Sequence, residues 1–301
     1  MAPTTLNPYQ RIWYLELPRG RRLVLGERPL VMGVVNLTPD SFSDGGQFAT
    51  PEAAVERALE MRREGADLID LGAESTRPGG GVYGDGAVEV GAAEELERLL
   101  PVLDALRQDP ELVLSVDTRK PQVARRALAH GADLINDVSG LAELELGEIV
   151  AQAGCPLVVM HSRGELASMQ ASITFDDVVR EVTDELRELC KRAEGCKIPF
   201  GQLIVDPGLG FGKRTEHNLE LLRNLDCLAT LDRPLMVGAS RKSFIGEIND
   251  RPTDQRLAGS LAAVAWAVHH RAALVRVHDV DETARFLEVW NAVNGAERNF
   301  G

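Results

Sequence analysis

Eight short apolar runs recur along the chain, mostly separated by stretches of helical length, and this alternation restricts the fold more than any other feature. The runs span 31–35, 68–71, 112–116, 134–135, 157–160, 203–205, 235–237 and 274–277. The helical stretches span 51–64, 94–107, 121–130, 175–193, 216–228, 254–271 and 281–293. Because an open doubly wound sheet usually has fewer strands, eight alternations predict an α/β fold with a single closed (β/α)₈ barrel, the TIM-barrel architecture.

An internal repeat supports this interpretation. Residues 65–70 read GADLID and residues 131–136 read GADLIN, and each copy follows a helical pattern. Their offset of 66 residues would correspond to two strand–helix units. The chain also lacks a linker rich in Pro, Gly and Ser that would mark a second domain. We therefore predict an N-terminal β-hairpin cap at 1–29, one barrel domain at 30–295 and a C-terminal tail at 296–301.

The first strand–helix unit illustrates the pattern. The β-branched run 31–35 indicates a buried parallel strand, and residues 38–46 have the Pro, Asp, Ser and Gly content of a mobile loop. Thr50 and Pro51 then supply a helix N-cap and a first-turn proline. Gly65 stands where a glycine would end that helix.

Charge and cysteine content exclude several classes of protein. The net charge of −13 disfavours a nucleic-acid or anionic-membrane surface, and no apolar run approaches the length of a membrane span. The four cysteines have no metal-type spacing and resemble unpaired thiols of a reducing compartment. Since the N-terminus has no signal-peptide core either, we expect a cytoplasmic protein that binds neither nucleic acid nor membrane.

Polar residues stand at the carboxyl end of all eight runs, where a barrel of this type has its active site. They are Asn36, Asp70, Asp117, Asn136, His161, Asp206, the triplet Ser240-Arg241-Lys242, and Arg276 with His278. A single carboxylate after a strand is often only a helix cap. A suitable group at every end favours an active site instead. The loop 74–80 combines hydroxyl, guanidinium and glycine groups, which suits closure over an anion. The glycine-rich segment 206–213 has backbone N–H groups that could face a phosphate or an aromatic ring, but its glycine pattern alone is weak evidence for such a site.

The motifs taken together resemble the dihydropteroate synthase family. They are NLTPDSFSDGG, ESTRPGG, SVDTRKP, LINDVSG, VVMH, IVDPGLGFGK, GASRKSFIG and VRVHDV, in the order and spacing of that family from Val31 onward. The resemblance implies condensation of 6-hydroxymethyl-7,8-dihydropterin diphosphate with p-aminobenzoate, giving 7,8-dihydropteroate and pyrophosphate in folate synthesis. It further implies a pterin-binding TIM barrel, a Mg²⁺ cofactor, a cytoplasmic homodimer, and inhibition by sulfonamides.

The pterin contacts implied by the resemblance come from five residues. Asp206 matches the carboxylate that accepts the ring N–H and the 2-amino group, and Asn136 offers both a donor and an acceptor. Asp117 matches the carboxylate near the reacting end of the pterin. Lys242 matches the lysine at the pterin carbonyl, and Met160 matches an apolar contact.

The diphosphate contacts implied by the family are basic or hydroxylated. Arg276 and His278 match the pair that grips the diphosphate, with Thr76 and Arg77 closing over it from the loop after the second strand. Asn36 matches the Mg²⁺ ligand, which also makes it part of the diphosphate site.

For p-aminobenzoate, Pro78 and Phe211 match apolar contacts to the ring, and Ser243 matches the contact to the carboxylate. The catalytic residues implied by the resemblance are Asp117, Lys242, Arg276 and His278. They would act through positioning and electrostatics, since the reaction needs no protein nucleophile.

Two alternatives stay open at this point. A methyltetrahydrofolate-dependent methyltransferase would share the pterin recognition, although it needs no diphosphate grip. A non-catalytic pterin-binding paralogue would keep the fold with a decayed site. The chain departs from the family pattern only in the glycines of 79–81 and in the segment 161–166, which lacks a proline often found there.

Overall fold

The computed structural model describes residues 11–38, 50–75, 90–164, 169 and 173–294. Ten strands lie in these ranges, as two separate sheets. The strands are β1 (Trp13–Glu16), β2 (Arg22–Leu25), β3 (Leu30–Asn36), β4 (Leu68–Gly72), β5 (Val113–Asp117), β6 (Leu134–Asp137), β7 (Leu157–Met160), β8 (Leu203–Asp206), β9 (Met236–Val237) and β10 (Leu274–Val277).

The larger sheet is the predicted (β/α)₈ barrel. Its eight strands are parallel and follow the order β8-β7-β6-β5-β4-β3-β10-β9. A parallel bridge between Val205 and Leu235, with a hydrogen bond from Val205 N to Pro234 O, joins the two ends of this order. The barrel is therefore closed, and its strand ends converge on a single mouth.

Nine α-helices lie within the described ranges and cover the barrel. They are α1 (Pro51–Arg63), α2 (Ala92–Leu106), α3 (Pro121–Ala129), α4 (Leu144–Ala153), α5 (Val178–Gly195), α6 (Thr215–Arg223), α7 (Ser243–Asn249), α8 (Leu257–His269) and α9 (Val280–Val293). The described chain contains no helix with the length and apolar character needed to cross a membrane.

Helix ends and turns differ from the sequence-based prediction in places. The stretch 216–228 is not one helix, because α6 gives way to a 3₁₀ segment, Leu225–Leu231. The stretch 254–271 likewise begins as a separate 3₁₀ turn before α8. Helices α4 and α7 were not predicted, since both contain an internal glycine and α7 is only 7 residues long. The start of α1 is confirmed, with the Thr50 side chain accepting a hydrogen bond from Ala53 N.

The internal repeat has a structural cause. Gly65 and Gly131 both adopt positive φ, at 109° and 102°, as they turn out of α1 and α3. The aspartates two residues later, Asp67 and Asp133, each accept a backbone N–H from the neighbouring strand, at 2.9 Å. The repeat therefore encodes the same helix-to-strand turn twice.

The N-terminal hairpin, β1 paired with β2, closes the floor of the barrel. Its Leu15 and Leu25 are fully buried among the lowest inward-facing side chains of the barrel strands. Asp133, fully buried, accepts ion pairs from Arg19 and Arg21 of the hairpin and from Arg107. The hairpin cap is thus confirmed and is fastened by both apolar and ionic contacts.

Truncating Leu15 to alanine is expected to lower the free energy of unfolding by about 2–5 kcal/mol, because a fully buried leucine would be replaced by a cavity. Chemical denaturation of the purified chain measures this difference. The matched control is Tyr14→Ala on the opposite face of the same strand, where the side chain is 54% exposed. Equal effects from the two variants would contradict the assignment of the hairpin as part of the core.

Candidate active site

The mouth of the barrel holds a polar pocket built from the carboxyl ends of its strands. Eight of the predicted site residues line it: Asp117, Asn136, Met160, Asp206, Phe211, Lys242, Arg276 and His278. The rest of the described lining is Val138, Gly208, Leu209, Met236, Gly238 and Ser240. The structure therefore brings the predicted pterin and catalytic residues into one cavity.

The other predicted residues divide into two groups. Asn36 ends β3 and is exposed, and Ser243 begins α7 directly after Lys242, but neither lines the pocket. Thr76, Arg77 and Pro78 lie outside the described residues, so their predicted roles stay predictions.

Arg276 lies between two carboxylates inside the barrel. Its Nε donates to Asp70 Oδ2 at 2.7 Å, and its Nη2 donates to Asp117 Oδ2 at 2.9 Å. Both carboxylates raise the pKa of the guanidinium, although burial opposes them. The arginine is thus fixed before any ligand arrives, with its cationic plane at the strand ends.

Asp70 was predicted from its position at a strand end to belong to the active site, but without a specific role. It is fully buried, and besides Arg276 it accepts hydrogen bonds from Ser115 Oγ and from Asn136 Nδ2 at 3.1 Å. Asp70 lies in the middle of β4 rather than at its end, so its side chain points into the barrel below the pocket. It orients two pocket residues, Arg276 and Asn136, without lining the pocket itself.

Asp117 has the environment of a reactive carboxylate. Burial raises its pKa to about 7, against the opposing effect of the Arg276 guanidinium, while the nearby Asp70 raises it further. Among the described residues, neither Asp117 Oδ1 nor Asn136 Oδ1 has a hydrogen-bond partner, and both atoms are buried. Two orphaned acceptors beside one pocket indicate a ligand that supplies donors there.

Asp206 and Lys242 lie on the other side of the pocket. Asp206 is 4% exposed, its Oδ1 accepts a hydrogen bond from Gly208 N at 2.7 Å, and burial raises its pKa. Lys242 Nζ donates to Leu209 O at 2.7 Å and lies 4.2 Å from the centre of the Phe211 ring. Burial lowers the pKa of this lysine to about 8, partly offset by Asp206.

His278 differs from the cationic group that a diphosphate grip suggested. Burial, together with Arg241 and Arg276, lowers its pKa to about 3, so the ring is neutral. Ser240 Oγ accepts from the His278 backbone N–H at 3.2 Å and lies 3.1 Å from Nδ1. The serine hydroxyl can therefore donate to Nδ1, which leaves Nε2–H as the donor that this histidine offers.

The strand-end prediction was wrong for His161. This residue is 1% exposed and is absent from the pocket lining; its ring nitrogens contact Glu185 and Lys213 instead. Its neighbour Met160 lines the pocket. Because successive side chains of a strand point to opposite faces, the next residue faces the helix layer.

Comparison with known proteins identifies the family. The profile of the family described as "Pterin binding enzyme" matches residues 32–278. A dihydropteroate synthase from Synechocystis sp. is 42% identical over 280 residues, which cover 92% of this chain and 94% of the relative. The dihydropteroate synthase of Escherichia coli K12 is 43% identical over 271 residues, covering 90% and 94% of the two chains.

This chain belongs to the dihydropteroate synthase family.

Solved structures of the family have the same barrel. Xanthomonas albilineans dihydropteroate synthase with 4-aminobenzoic acid matches with a TM-score of 0.86 and 46% identity, covering 95% of this chain and all (100%) of that one. The same bacterium's enzyme in complex with 7,8-dihydropteroate matches with a TM-score of 0.81 and 44% identity, covering 94% of this chain and 100% of that one. The Yersinia pestis enzyme in complex with a sulfonamide drug matches with a TM-score of 0.87 and 41% identity, covering 94% of this chain and 100% of that one. The resemblance read from the motifs is thus confirmed at the level of family and fold.

Proposed function

We propose that this chain condenses 6-hydroxymethyl-7,8-dihydropterin diphosphate with p-aminobenzoate, forming 7,8-dihydropteroate and pyrophosphate. The observation that carries the proposal is a single pocket lined by a buried carboxylate, Asp206, and a half-buried arginine, Arg276, with orphaned acceptors on Asp117 and Asn136. Such a pocket offers acceptors for a donor-rich heterocycle and a cation for its leaving group.

Pterin recognition follows from the acceptors of the pocket. One oxygen of Asp206 is used by Gly208 N, which leaves Oδ2 for the ring N–H and the 2-amino group of a pterin. The Asn136 Oδ1 accepts a further N–H, and Lys242 donates to the pterin carbonyl. Met160 and Met236 supply apolar surface beside the ring.

Arg276 and His278 bind the diphosphate in this proposal. The guanidinium supplies charge, while the neutral imidazole supplies the Nε2–H donor derived above. Arg276 Nη1 has no hydrogen bond to any residue that the structure describes and is available to a phosphate oxygen. Thr76 and Arg77 complete the grip in the proposal.

Asn36 is the proposed Mg²⁺ ligand. Its Oδ1 and Asp117 Oδ2 both lie 3.9 Å from the point where a Cβ on Gly72 would be, so an amide oxygen stands next to the reacting end of the pocket. The described residues contain no cluster of three acidic, histidine or cysteine ligands. One protein oxygen fits an ion held mainly by water and diphosphate, where it would neutralise charge on the leaving group.

Catalysis rests on charge placed before the reaction begins. The bond between the exocyclic methylene carbon and the diphosphate oxygen breaks, with Arg276 and His278 stabilising the departing pyrophosphate. The methylene carbon becomes electron-poor, and the ionised Asp117 stabilises it. The amine of p-aminobenzoate attacks that carbon and then loses a proton. Phe211 and Pro78 hold the aromatic ring, and Ser243 meets its carboxylate.

Activity is expected to have a bell-shaped pH dependence. Asp117 must be ionised, so kcat/KM falls as the pH drops below its pKa of about 7. Lys242 must be protonated to donate, so kcat/KM falls again above its pKa of about 8. Steady-state kinetics from about pH 5.5 to about pH 9.5 measure both the acid-side and the alkaline-side fall of kcat/KM. Asp117→Asn should remove the acid limb from the residual activity; an unchanged limb would contradict its assignment to Asp117.

Pyrophosphate release tests the reaction itself. A coupled assay with and without p-aminobenzoate should show release that depends on the amine, with one pyrophosphate per 7,8-dihydropteroate. Pterin binding without turnover would favour a non-catalytic paralogue. Methyl transfer from methyltetrahydrofolate to a cobalamin protein would favour the methyltransferase alternative.

A homodimer in the cytoplasm completes the proposal. All four cysteines are free, three of them buried, as expected in a reducing compartment. Sedimentation equilibrium should give twice the 32.8 kDa mass of the chain. A single species at the mass of one chain would contradict the dimer.

A further inference from the structure

We propose that Lys213 is a positioning residue: its buried side chain, held by His161, fixes the loop of residues 207–212 in the shape that presents Phe211 and the Leu209 carbonyl to the pocket. Lys213 does not line the pocket, and the proposed reaction gives it no task. The inference rests on the proposed function only in taking p-aminobenzoate as the substrate that Phe211 contacts.

Lys213 lies at the centre of the loop that it would fix. It is 3% exposed, and its Nζ is 3.0 Å from both Gly208 O and Phe211 O. On the opposite side, Nζ lies 2.7 Å from His161 Nδ1 and 3.3 Å from His161 O. One amine therefore joins the start and the end of the loop to the residue after β7.

The protonation states follow from the partners. Glu185 Oε2 is 2.9 Å from His161 Nε2, and this hydrogen bond is the main reason that the pKa of Glu185 is lowered to about 2. The ionised carboxylate can only accept, so the proton of the neutral imidazole is on Nε2 and Nδ1 is an acceptor. As an ammonium, Lys213 has three N–H groups for four nearby acceptors, which are Nδ1 and the carbonyls of Gly208, Phe211 and His161, and the contact to His161 O is the longest. Burial lowers the pKa of this amine to about 7, so the ammonium form prevails below that pH.

The loop needs such a tie because three of its six residues are glycines with positive φ: Gly208, Gly210 and Gly212. Glycine-rich backbone loses more conformational entropy on ordering than any other. The loop also packs directly on its neighbours, since a Cβ on Gly208 would lie 1.9 Å from His161 O. Without the ammonium, three buried carbonyls in this region would lose a donor.

Two pocket groups depend on the loop. Lys242 Nζ is held by Leu209 O, and the same amine lies over the Phe211 ring. Asp206, by contrast, is also fixed by the strand ladder between β7 and β8. Phe211 is part of the loop itself, whereas the pterin acceptors Asn136 and Asp206 lie in strands. The loop reaches the pterin side through the hydrogen bonds from Lys242 to Leu209 O and from Gly208 N to Asp206. Losing Lys213 should therefore disturb the p-aminobenzoate side of the pocket more than the pterin side.

Kinetics of Lys213→Met test this asymmetry. KM for p-aminobenzoate should rise at least about tenfold, because misplacing a positioning group by about 1 Å can cost up to about 100-fold. KM for the pterin diphosphate should rise less than about threefold, because the strand-borne acceptors keep their places. Lys191→Met replaces an exposed lysine of α5 that forms an ion pair with Glu188; it is the matched control and should match wild type. Equal changes in both KM values, or no change, would overturn the proposal.

A pair of His161 variants keeps the test valid if Lys213→Met does not fold. Asparagine and leucine have similar shapes, but only asparagine places an oxygen where Nδ1 accepts from Lys213. His161→Leu should reproduce the p-aminobenzoate defect, and His161→Asn should restore KM to within about threefold of wild type. Identical kinetics for the two variants would overturn the hydrogen-bonding role.

The histidine tautomer gives a readout that needs no substrate. Nitrogen-15 NMR of histidine-labelled wild-type protein at neutral pH should show His161 neutral, with its proton on Nε2. Lys213→Met should shift the Nδ1 signal, and Lys191→Met should not. An imidazolium or an Nδ1–H form would overturn the proposal. If pyrophosphate release by the wild-type protein did not depend on p-aminobenzoate, the proposed function would fail. The NMR measurement would still show whether Lys213 donates a hydrogen bond to His161 Nδ1.

Discussion

Replacing Asp206 with alanine is expected to abolish measurable pterin binding. The carboxylate is 4% exposed and supplies the acceptors for two adjacent N–H groups of the heterocycle. A hydrogen bond to a charged group contributes about 1.5–3 kcal/mol, so losing two corresponds to an affinity loss of about 100-fold to 10,000-fold. Calorimetric titration with a pterin lacking the diphosphate measures this loss directly.

Two further variants separate recognition from folding. Asp206→Asn keeps an oxygen for Gly208 N but removes the charge, so it should fold normally and still bind pterin at least about 30-fold more weakly. Asp184→Ala removes an exposed carboxylate of α5 and should bind as wild type does. Near-wild-type pterin affinity in Asp206→Asn would show that this carboxylate does not hold the ring.

Arg276→Ala is expected to weaken binding of the pterin diphosphate by about 100-fold, the scale of a lost charge-assisted pair with phosphate. Affinity for the plain pterin should change less than threefold (about 0.6 kcal/mol), because the ring is held by other groups. The readout is the ratio of the two affinities, measured in the same buffer at fixed ionic strength, since phosphate contacts weaken with salt. Equal loss for both ligands would contradict the assignment.

Removing Arg276 also leaves Asp70 and Asp117 without their cation, which is destabilising for buried carboxylates. The double variant Arg276→Ala with Asp70→Asn relieves part of that cost and should retain the same affinity ratio. Arg285→Ala, an arginine of α9 with a 73% exposed side chain, is the surface control and should leave both affinities unchanged.

The barrel could be predicted from the sequence because its physical cause is local. Each strand buried on both faces appears as an apolar run, and each covering helix shows polar and apolar residues at helical spacing. The prediction held even for β9, where only Met236 and Val237 form the strand. Helices α4 and α7 escaped because a glycine interrupts each pattern, and their boundaries depend on contacts made only after folding, such as Arg256 against Gly246.

Site residues could be predicted from the sequence only where the position of a residue along its strand determines the direction of its side chain. Asp117, Asp206 and His278 were correctly placed at the pocket from their positions. His161 was misplaced because one step along the chain reverses the direction of the side chain. Asp70 was undervalued because its partner Arg276 is 206 residues away, and no local pattern reports that pairing.

The protonation states were also beyond sequence reasoning. His278 was expected to act alongside a cation, yet burial near Arg241 and Arg276 makes it a neutral donor. The same burial brings the pKa of Asp117 and Lys242 toward neutrality, to about 7 and about 8. These shifts depend on desolvation and on charges from other strands, which exist only once the barrel is closed.

The central claim is that one pocket holds the pterin ring at Asp206 and its leaving group at Arg276. A crystal structure with a pterin diphosphate analogue, p-aminobenzoate and Mg²⁺ measures this directly. We predict pterin nitrogens within hydrogen-bond distance of the Asp206 carboxylate, about 2.7–3.2 Å, and phosphate oxygens equally close to Arg276. A pterin bound in the outer groove between α1 and α2, beside Glu56 and Pro101, would contradict the account.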